Sequence, residues 1–306
     1  MTTPENIGIL GTGLMGKGIA ESIATAGLRA TLIKVTAGDS AAIQNQLAAS
    51  FQRSVERGKL TREAADEILG RIVVSDDRDR LAGCDMVIES VVEDLATKQA
   101  LLDDVEGRLP NHVILGTNTS SLRVSDIGAR LRVPGRFLGT HFFSPVPAMK
   151  LVELAPTRET APFAMEKARE LTVAIGKTPV IVTDSSGYIV NRLLVPYLLD
   201  AVLTLESGVS SAEDIDRAMQ LGCGHPMGPL ALADFIGLDV VYAMARTLYI
   251  NLQDRRYSPP ALLRRLVLRG QLGKKSGAGI YDYSTKPPRE NPSLRLLPEG
   301  EEHHMH

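Results

Sequence analysis

Residues 11–16, Gly11-Thr12-Gly13-Leu14-Met15-Gly16, form a G-x-G-x-x-G that directly follows the apolar run 7–10 and opens a helical stretch over 15–26. A strand, such a loop and a helix in succession make a seat for a dinucleotide. Gly11 permits the tight turn, Gly13 lets backbone approach a pyrophosphate, and Gly16 lets the helix pack closely on the strand. Leu14 and Met15 complete the loop, and the helix N-terminus adds N–H donors and partial positive charge for the phosphates. The companion of this loop is an acidic residue about 20 positions on, which holds the ribose 2′-hydroxyl. Lys34 stands at that point, and Asp39 comes late. A carboxylate repels a 2′-phosphate and an ammonium attracts one, so Lys34 leaves NADP open beside NAD. A solvated lysine with no cofactor role is the alternative.

A second group able to bind anions is Arg53, Arg57 and Lys59. Arg53 and Arg57 are four apart on a helical stretch and share a face. They could meet the phosphates of coenzyme A or of a phosphopantetheine arm; a solvated basic face is the alternative.

The elements that must position these residues alternate. Short β-like runs fall at 7–10, 30–35, 71–75, 86–92, 113–117, 137–143, 151–155 and 180–183. Helical stretches fall at 15–26, 41–58, 61–69 and 96–109. Such alternation implies a parallel sheet covered on both faces. The character changes near Asp184-Ser185-Ser186-Gly187. Beyond it the pattern is helical, at 188–208, 211–219, 230–249 and 261–269. The expected fold is α/β: a Rossmann-like doubly wound sheet over 1–184, then a smaller all-helical domain over 185–285. Residues 286–306, rich in Pro, Glu, Arg and His, read as a flexible tail.

The chain has 306 residues, room for two ordinary domains, and 44% apolar with 23% charged residues, the balance of a globular protein. A net charge of −2 without a block of like charges argues against nucleic acid as a partner. Two distant cysteines make neither a disulfide framework nor a metal site, so no metal is expected. No apolar run approaches the roughly 20 residues of a membrane helix. The opening residues do not read as a signal peptide, so the expected compartment is the cytoplasm.

Several longer motifs remain. They are GTNTSSL from Gly116, GTHFFSPVPAMKLVELA from Gly139, DSSGYIVNRLLVPYLLDA from Asp184, LGCGHPMGPLALADFIGLD from Leu221 and GKKSGAGIYDY from Gly273. With the glycine loop and VIESVVED from Val87, they resemble the short-chain L-3-hydroxyacyl-CoA dehydrogenases, also called 3-hydroxybutyryl-CoA dehydrogenases, from about Asn6 to Tyr283. The resemblance implies a hydride transfer between a nicotinamide cofactor and the 3-position of a small acyl thioester. It makes His141 the catalytic acid/base group and Glu153 its carboxylate partner. Ser120 then hydrogen-bonds the substrate oxygen, and Asn191 helps fix histidine and substrate. Glu93 and Lys98 line the nicotinamide side, with Asn118 in the cofactor set, and the helical pair after the second strand handles coenzyme A. The resemblance further implies a site between the two domains and a homodimer.

The chemistry is coherent. Oxidising a secondary alcohol removes a hydride from carbon and a proton from oxygen. The proton needs a base titrating near neutrality, which histidine supplies. A carboxylate on the other ring nitrogen sets the tautomer, and Glu153 sits within an apolar strand, where a carboxylate needs a partner. Two departures from the family pattern stand out: Ser144 follows HFF where the family has Asn, and Lys34 replaces an Asp. Both bear on selectivity. They keep open a relative acting on an acyl-carrier-protein-bound unit, on a free hydroxy acid or on carnitine. A non-catalytic dinucleotide-binding protein, like one lens crystallin of the family, is the remaining alternative.

Overall fold

A computed structural model describes residues 4–36 and 38–294, which divide after Tyr188 into two compact units. The first unit runs β1 (Asn6–Leu10), α1 (Leu14–Thr25), β2 (Arg29–Ile33), α2 (Ser40–Glu56), α3 (Arg62–Gly70), β3 (Ile72–Ser75), β4 (Met86–Glu89), α4 (Leu95–Glu106), β5 (Ile114–Thr117), α5 (Val124–Ile127), β6 (Phe137–Phe142), β7 (Leu151–Pro156), α6 (Pro162–Ala174) and β8 (Thr178–Ile181). The eight strands form one sheet in the order β3-β2-β1-β4-β5-β6-β7-β8. β1 lies between β2 and β4, so the chain reverses its direction of travel across the sheet there. In a doubly wound sheet, ligands bind outside the carboxyl ends of the strands at that reversal. The glycine loop leaves β1 at this point.

The central strands are continuous apolar runs because both faces are covered. Their side chains alternate between two cores. Ile9, Met86 and Ile114 join Ile19, Ile23 and Leu171 on one face. Leu10, Val87 and Leu115 join Leu101, Val105 and Ile127 on the other. α1 approaches β1 closely at its start because Gly16 carries no side chain there.

Three expectations change in this unit. The sheet is not wholly parallel, since β7 runs antiparallel to β6. Only residues 143–150 join the two, too few for the dozen or more that a parallel crossover requires. α6 was not expected; it opens with Pro162 at its first position and buries Ala164, Ala168 and Leu171. Pro at that position is a start signal, because its missing N–H has no helical partner to lose. β8 lies two residues earlier than the run 180–183.

The second unit contains α7 (Val190–Glu206), α8 (Ala212–Cys223), α9 (Pro229–Ile236), α10 (Leu238–Leu252) and α11 (Ala261–Leu268) around a core of its own. The stretch 230–249, read as one helix, is two. Gly237 takes φ +106° between α9 and α10, a conformation that costs a residue with a Cβ. The unit is not purely helical, because β9 (Tyr281–Asp282) pairs antiparallel with β10 (Arg289–Glu290). Residues 286–294, expected in the tail, therefore carry structure. Asn291 is buried and donates to Gly279 O at 2.7 Å. Residues 295–306, the rest of that expected tail, lie outside the described residues.

Asp234 ties β9 to α9. It is buried and accepts from Ile280 N at 2.9 Å, Tyr281 N at 2.8 Å and Tyr283 Oη at 3.1 Å. Asp234→Ala leaves two buried N–H groups without this acceptor and should cost this unit about 2–4 kcal/mol. Chemical denaturation followed by a probe in the second unit checks it; a loss under about 0.5 kcal/mol would contradict this account.

Candidate active site

The glycine loop has the geometry its spacing implies. Gly11 has φ +113°, and a Cβ there would lie 2.4 Å from Ser90 O. A Cβ on Gly16 would lie 1.9 Å from Gly11 O, so α1 can start against the loop only without a side chain. Around Gly13 nothing lies within 4 Å of an added Cβ, and no side chain caps α1. Open space in front of uncapped N–H donors is what a pyrophosphate requires. Leu14 is largely exposed and Met15 half-buried.

Lys34 follows β2, and its Nζ donates to Thr36 O at 2.8 Å and Thr36 Oγ1 at 3.0 Å. Asp39, the late carboxylate, caps α2 by accepting from Ala41 N at 2.8 Å. Its charge is thus engaged at a helix start.

His141 and Glu153 are direct partners in the antiparallel register of β6 and β7. Nδ1 lies 2.8 Å from Glu153 Oε2, with the imidazole side chain 7% and the carboxylate 0% exposed. A carboxylate only accepts, so Nδ1 carries the hydrogen and Nε2 is left for proton exchange. The ring is flanked by Phe143, 4.4 Å between centroids, and by Tyr188 at 5.5 Å. Tyr188 holds φ +44°, a strained value for a residue with a bulky side chain. Its ring fits beside β6 because Gly139 has no side chain; a Cβ there would lie 3.2 Å from Tyr188 Oη.

Asn118 links the end of β5 to the histidine strand. Its Oδ1 accepts from Phe142 N at 2.8 Å, and its Nδ2 donates to Ser90 Oγ at 3.1 Å. Beside it, Glu93 Oε1 accepts from Thr119 Oγ1 at 2.7 Å and from Ser120 N, Ser121 N and Ser121 Oγ at 2.9 Å each. Ser120 Oγ is 3.4 Å from the same oxygen. Lys98 Nζ lies 3.4 Å from Glu93 Oε2. Burial pushes the Glu93 carboxyl up, but Lys98 and these donors outweigh it and hold it below the ordinary value. Lys98 is itself fully buried, with Nζ 2.8 and 3.0 Å from the two oxygens of Glu89.

Sequence reasoning missed Glu89, Phe143 and Tyr188. A glutamate inside the apolar run MVIESVV was the available sign for the first, because a charge in a buried strand demands a partner.

A cavity of about 510 Å³ is lined by Arg53 on α2, by Lys17, Gly18 and Glu21 on α1, and by Ser144 after β6. Burial raises the Glu21 carboxyl. Arg53 thus shares a cavity with Ser144, the residue that departs from the family pattern. Arg57, which ends α2, and Lys59 are exposed and do not line it. Asn191 is buried in the first turn of α7, within the second unit. Among the described residues, no group of three His, Cys, Asp or Glu could hold a metal ion, and no helix is long and apolar enough to cross a membrane.

A dinucleotide-binding sheet with a buried imidazole–carboxylate pair defines the class, a nicotinamide-dependent oxidoreductase. The chain belongs to the 3-hydroxyacyl-CoA dehydrogenase family: residues 6–185 match its NAD binding domain and 187–283 its C-terminal domain. It is 40% identical over 281 residues to a 3-hydroxybutyryl-CoA dehydrogenase of Mycobacterium tuberculosis, covering 91% of this chain and 98% of that one. It is 41% identical over 286 residues to a probable 3-hydroxybutyryl-CoA dehydrogenase of Bacillus subtilis, covering 92% and 98%. The crystal structure of (S)-3-hydroxybutyryl-CoA dehydrogenase PaaH1 from Ralstonia eutropha superposes with a TM-score of 0.86 at 38% identity, covering 92% of this chain and all of that one.

The depressed carboxyl of Glu93 has a pH consequence. Its ionised form holds the 119–121 turn, so its contribution is complete above pH 4.5, the ordinary glutamate value, and is lost as pH falls through the lowered folded value. The stability difference between wild type and Glu93→Gln should be about 1 kcal/mol near pH 6 and shrink toward zero on acidification. Denaturation of both proteins from pH 3 to 6 measures it; a difference that grows on acidification would reverse the assignment.

Proposed function

We propose that this enzyme transfers a hydride between nicotinamide and the 3-position of a short 3-hydroxyacyl- or 3-oxoacyl-CoA, with His141 as its acid/base group. The observation that carries the reading is the sealed 2.8 Å contact between His141 Nδ1 and Glu153. In oxidation, His141 Nε2 takes the proton of the 3-hydroxyl, and Glu153 stabilises the imidazolium that results. In reduction, the same nitrogen returns the proton to the ketone oxygen. The nicotinamide, when bound, accepts or supplies the hydride.

The glycine loop would hold the pyrophosphate, with Glu93, Lys98 and Asn118 on the nicotinamide side. Ser120 Oγ, whose contact with Glu93 is long at 3.4 Å, would turn to the substrate oxygen. The role of Asn191 rests on family register alone. Arg53, in the cavity it shares with Ser144, is the group assigned to coenzyme A phosphates. Coenzyme A is preferred over acyl-carrier protein because the similar enzymes are named for CoA substrates.

Mixing the protein with acetoacetyl-CoA and following the nicotinamide absorbance with NADH and NADPH in parallel tests the reading. Turnover is expected, with NADH preferred; faster use of NADPH would instead assign Lys34 to a 2′-phosphate. His141→Ala should lower kcat at least about 100-fold with dinucleotide affinity unchanged. Survival of the activity in that variant would end the assignment.

The enzyme is further proposed to be a homodimer. α7 exposes Leu193 and Leu203, and α10 exposes Val240, Tyr249 and Ile250. Exposed apolar groups of this size mark association surfaces. Sedimentation at micromolar concentration should give twice the chain mass; a clean monomer would refute it.

A further inference from the structure

Lys98 and Glu89 meet where neither touches solvent. Both side chains are 0% exposed. Glu89 ends β4, and its two oxygens accept four hydrogen bonds from three groups. Oε1 accepts from Val91 N at 2.7 Å and Lys98 Nζ at 2.8 Å. Oε2 accepts from Thr117 Oγ1 at 2.6 Å and Lys98 Nζ at 3.0 Å. Thr117 ends β5, the strand hydrogen-bonded beside β4. Glu89 is therefore fixed by the sheet itself, with little freedom to reorient.

The ammonium it holds has one further acidic neighbour, Glu93 Oε2 at 3.4 Å. The other Glu93 oxygen gathers the donors of Thr119, Ser120 and Ser121. A continuous chain of polar contacts thus runs from the sheet to the substrate serine: Thr117, Glu89, Lys98, Glu93, Ser120. One lysine is thus shared between two carboxylates, the inner one sealed and the outer one with its side chain 33% exposed.

A buried ion pair is a weak source of stability, because desolvation offsets the attraction. What it does supply is direction. Taking the charge from Glu89 would free Lys98 to swing toward Glu93 and draw that carboxylate off the turn. We propose that Glu89 is a positioning residue for the reaction: it aims Lys98 at Glu93 and so sets the 119–121 turn and the Ser120 hydroxyl. This rests on the reading of Ser120 as a substrate ligand.

The test uses the full chain and two variants. Thr117→Val removes one hydrogen bond to Glu89 without altering charge or size and is expected to fold. Glu89→Gln removes the charge. The first readout needs neither substrate nor cofactor. Amide hydrogen exchange at Ser120 and Ser121 should accelerate at least about 10-fold in Glu89→Gln and about 3-fold in Thr117→Val, with β6 amides unchanged. If Glu89 only braces its own loop, Val91 alone will exchange faster, and the proposal falls.

The second readout is kinetic. kcat with acetoacetyl-CoA should fall about 10-fold in Glu89→Gln, with the KM for NADH within about threefold of wild type. Unchanged kcat alongside fast Ser120 and Ser121 exchange overturns the link to catalysis. Variants that exchange as described, beside a wild type that never turns over acetoacetyl-CoA, would instead fault the substrate reading. If Glu89→Gln does not fold, Thr117→Val decides: no acceleration at Ser120 and Ser121 overturns the proposal.

Discussion

Glu153 has no access to water and sits in the middle of a strand whose neighbours are Val152 and Leu154. A carboxylate in that position is tolerable only with a strong hydrogen-bond partner. His141, directly opposite on β6, supplies it, and much of the surrounding geometry follows from keeping these two in register. The short connection 143–150 makes the two strands antiparallel, and their register sets the two side chains face to face. β6 must be buried along its whole length, so the ring is walled by Phe143 and Tyr188 and the adjacent position is left as Gly139. A histidine oriented on one nitrogen by a buried carboxylate has its other nitrogen free of that contact, as the proposed acid/base role requires.

The cofactor side obeys a different constraint, close backbone approach. Gly11 touches the backbone after β4, and Gly16 touches Gly11, so the loop, β1 and β4 are fitted to one another without side chains. β4 then continues into Glu89, and the same strand end that meets the glycine loop anchors the buried lysine. The two halves of the site converge at Asn118, which binds Ser90 after β4 with one end and the backbone of the histidine strand with the other.

Much of this was legible in the residues. The glycine loop was readable because only glycine fits its contacts. The strands of the centre were readable because double burial makes them uniformly apolar. His141 and Glu153 needed family register to be singled out, since one histidine and one glutamate twelve apart carry no periodic signal. The reversal of β7 was implicit in an eight-residue connection, but alternation of elements masked it. The helix after Pro162 was hidden because its buried face, Ala164, Ala168, Leu171 and Thr172, carries one large apolar residue and marks no stripe. Gly237 splits a stretch whose apolar residues run on through the break. Asp39, which comes late for a ribose ligand, stands one residue before α2 and caps it.

The dyad and the lysine chain differ in how far apart their members lie along the polypeptide. His141 and Glu153 are twelve residues apart on a hairpin-like pair of strands, a local contact that closes a short loop at small entropic cost. Glu89 and Thr117 are separated by 28 residues and a complete crossover. The His141–Glu153 pair is therefore a product of one supersecondary unit, whereas the turn bearing Ser120 takes shape only when the middle of the sheet is assembled. The second could thus vary without disturbing the first, and the proposed acid/base pair would outlast changes in the turn proposed to meet the substrate.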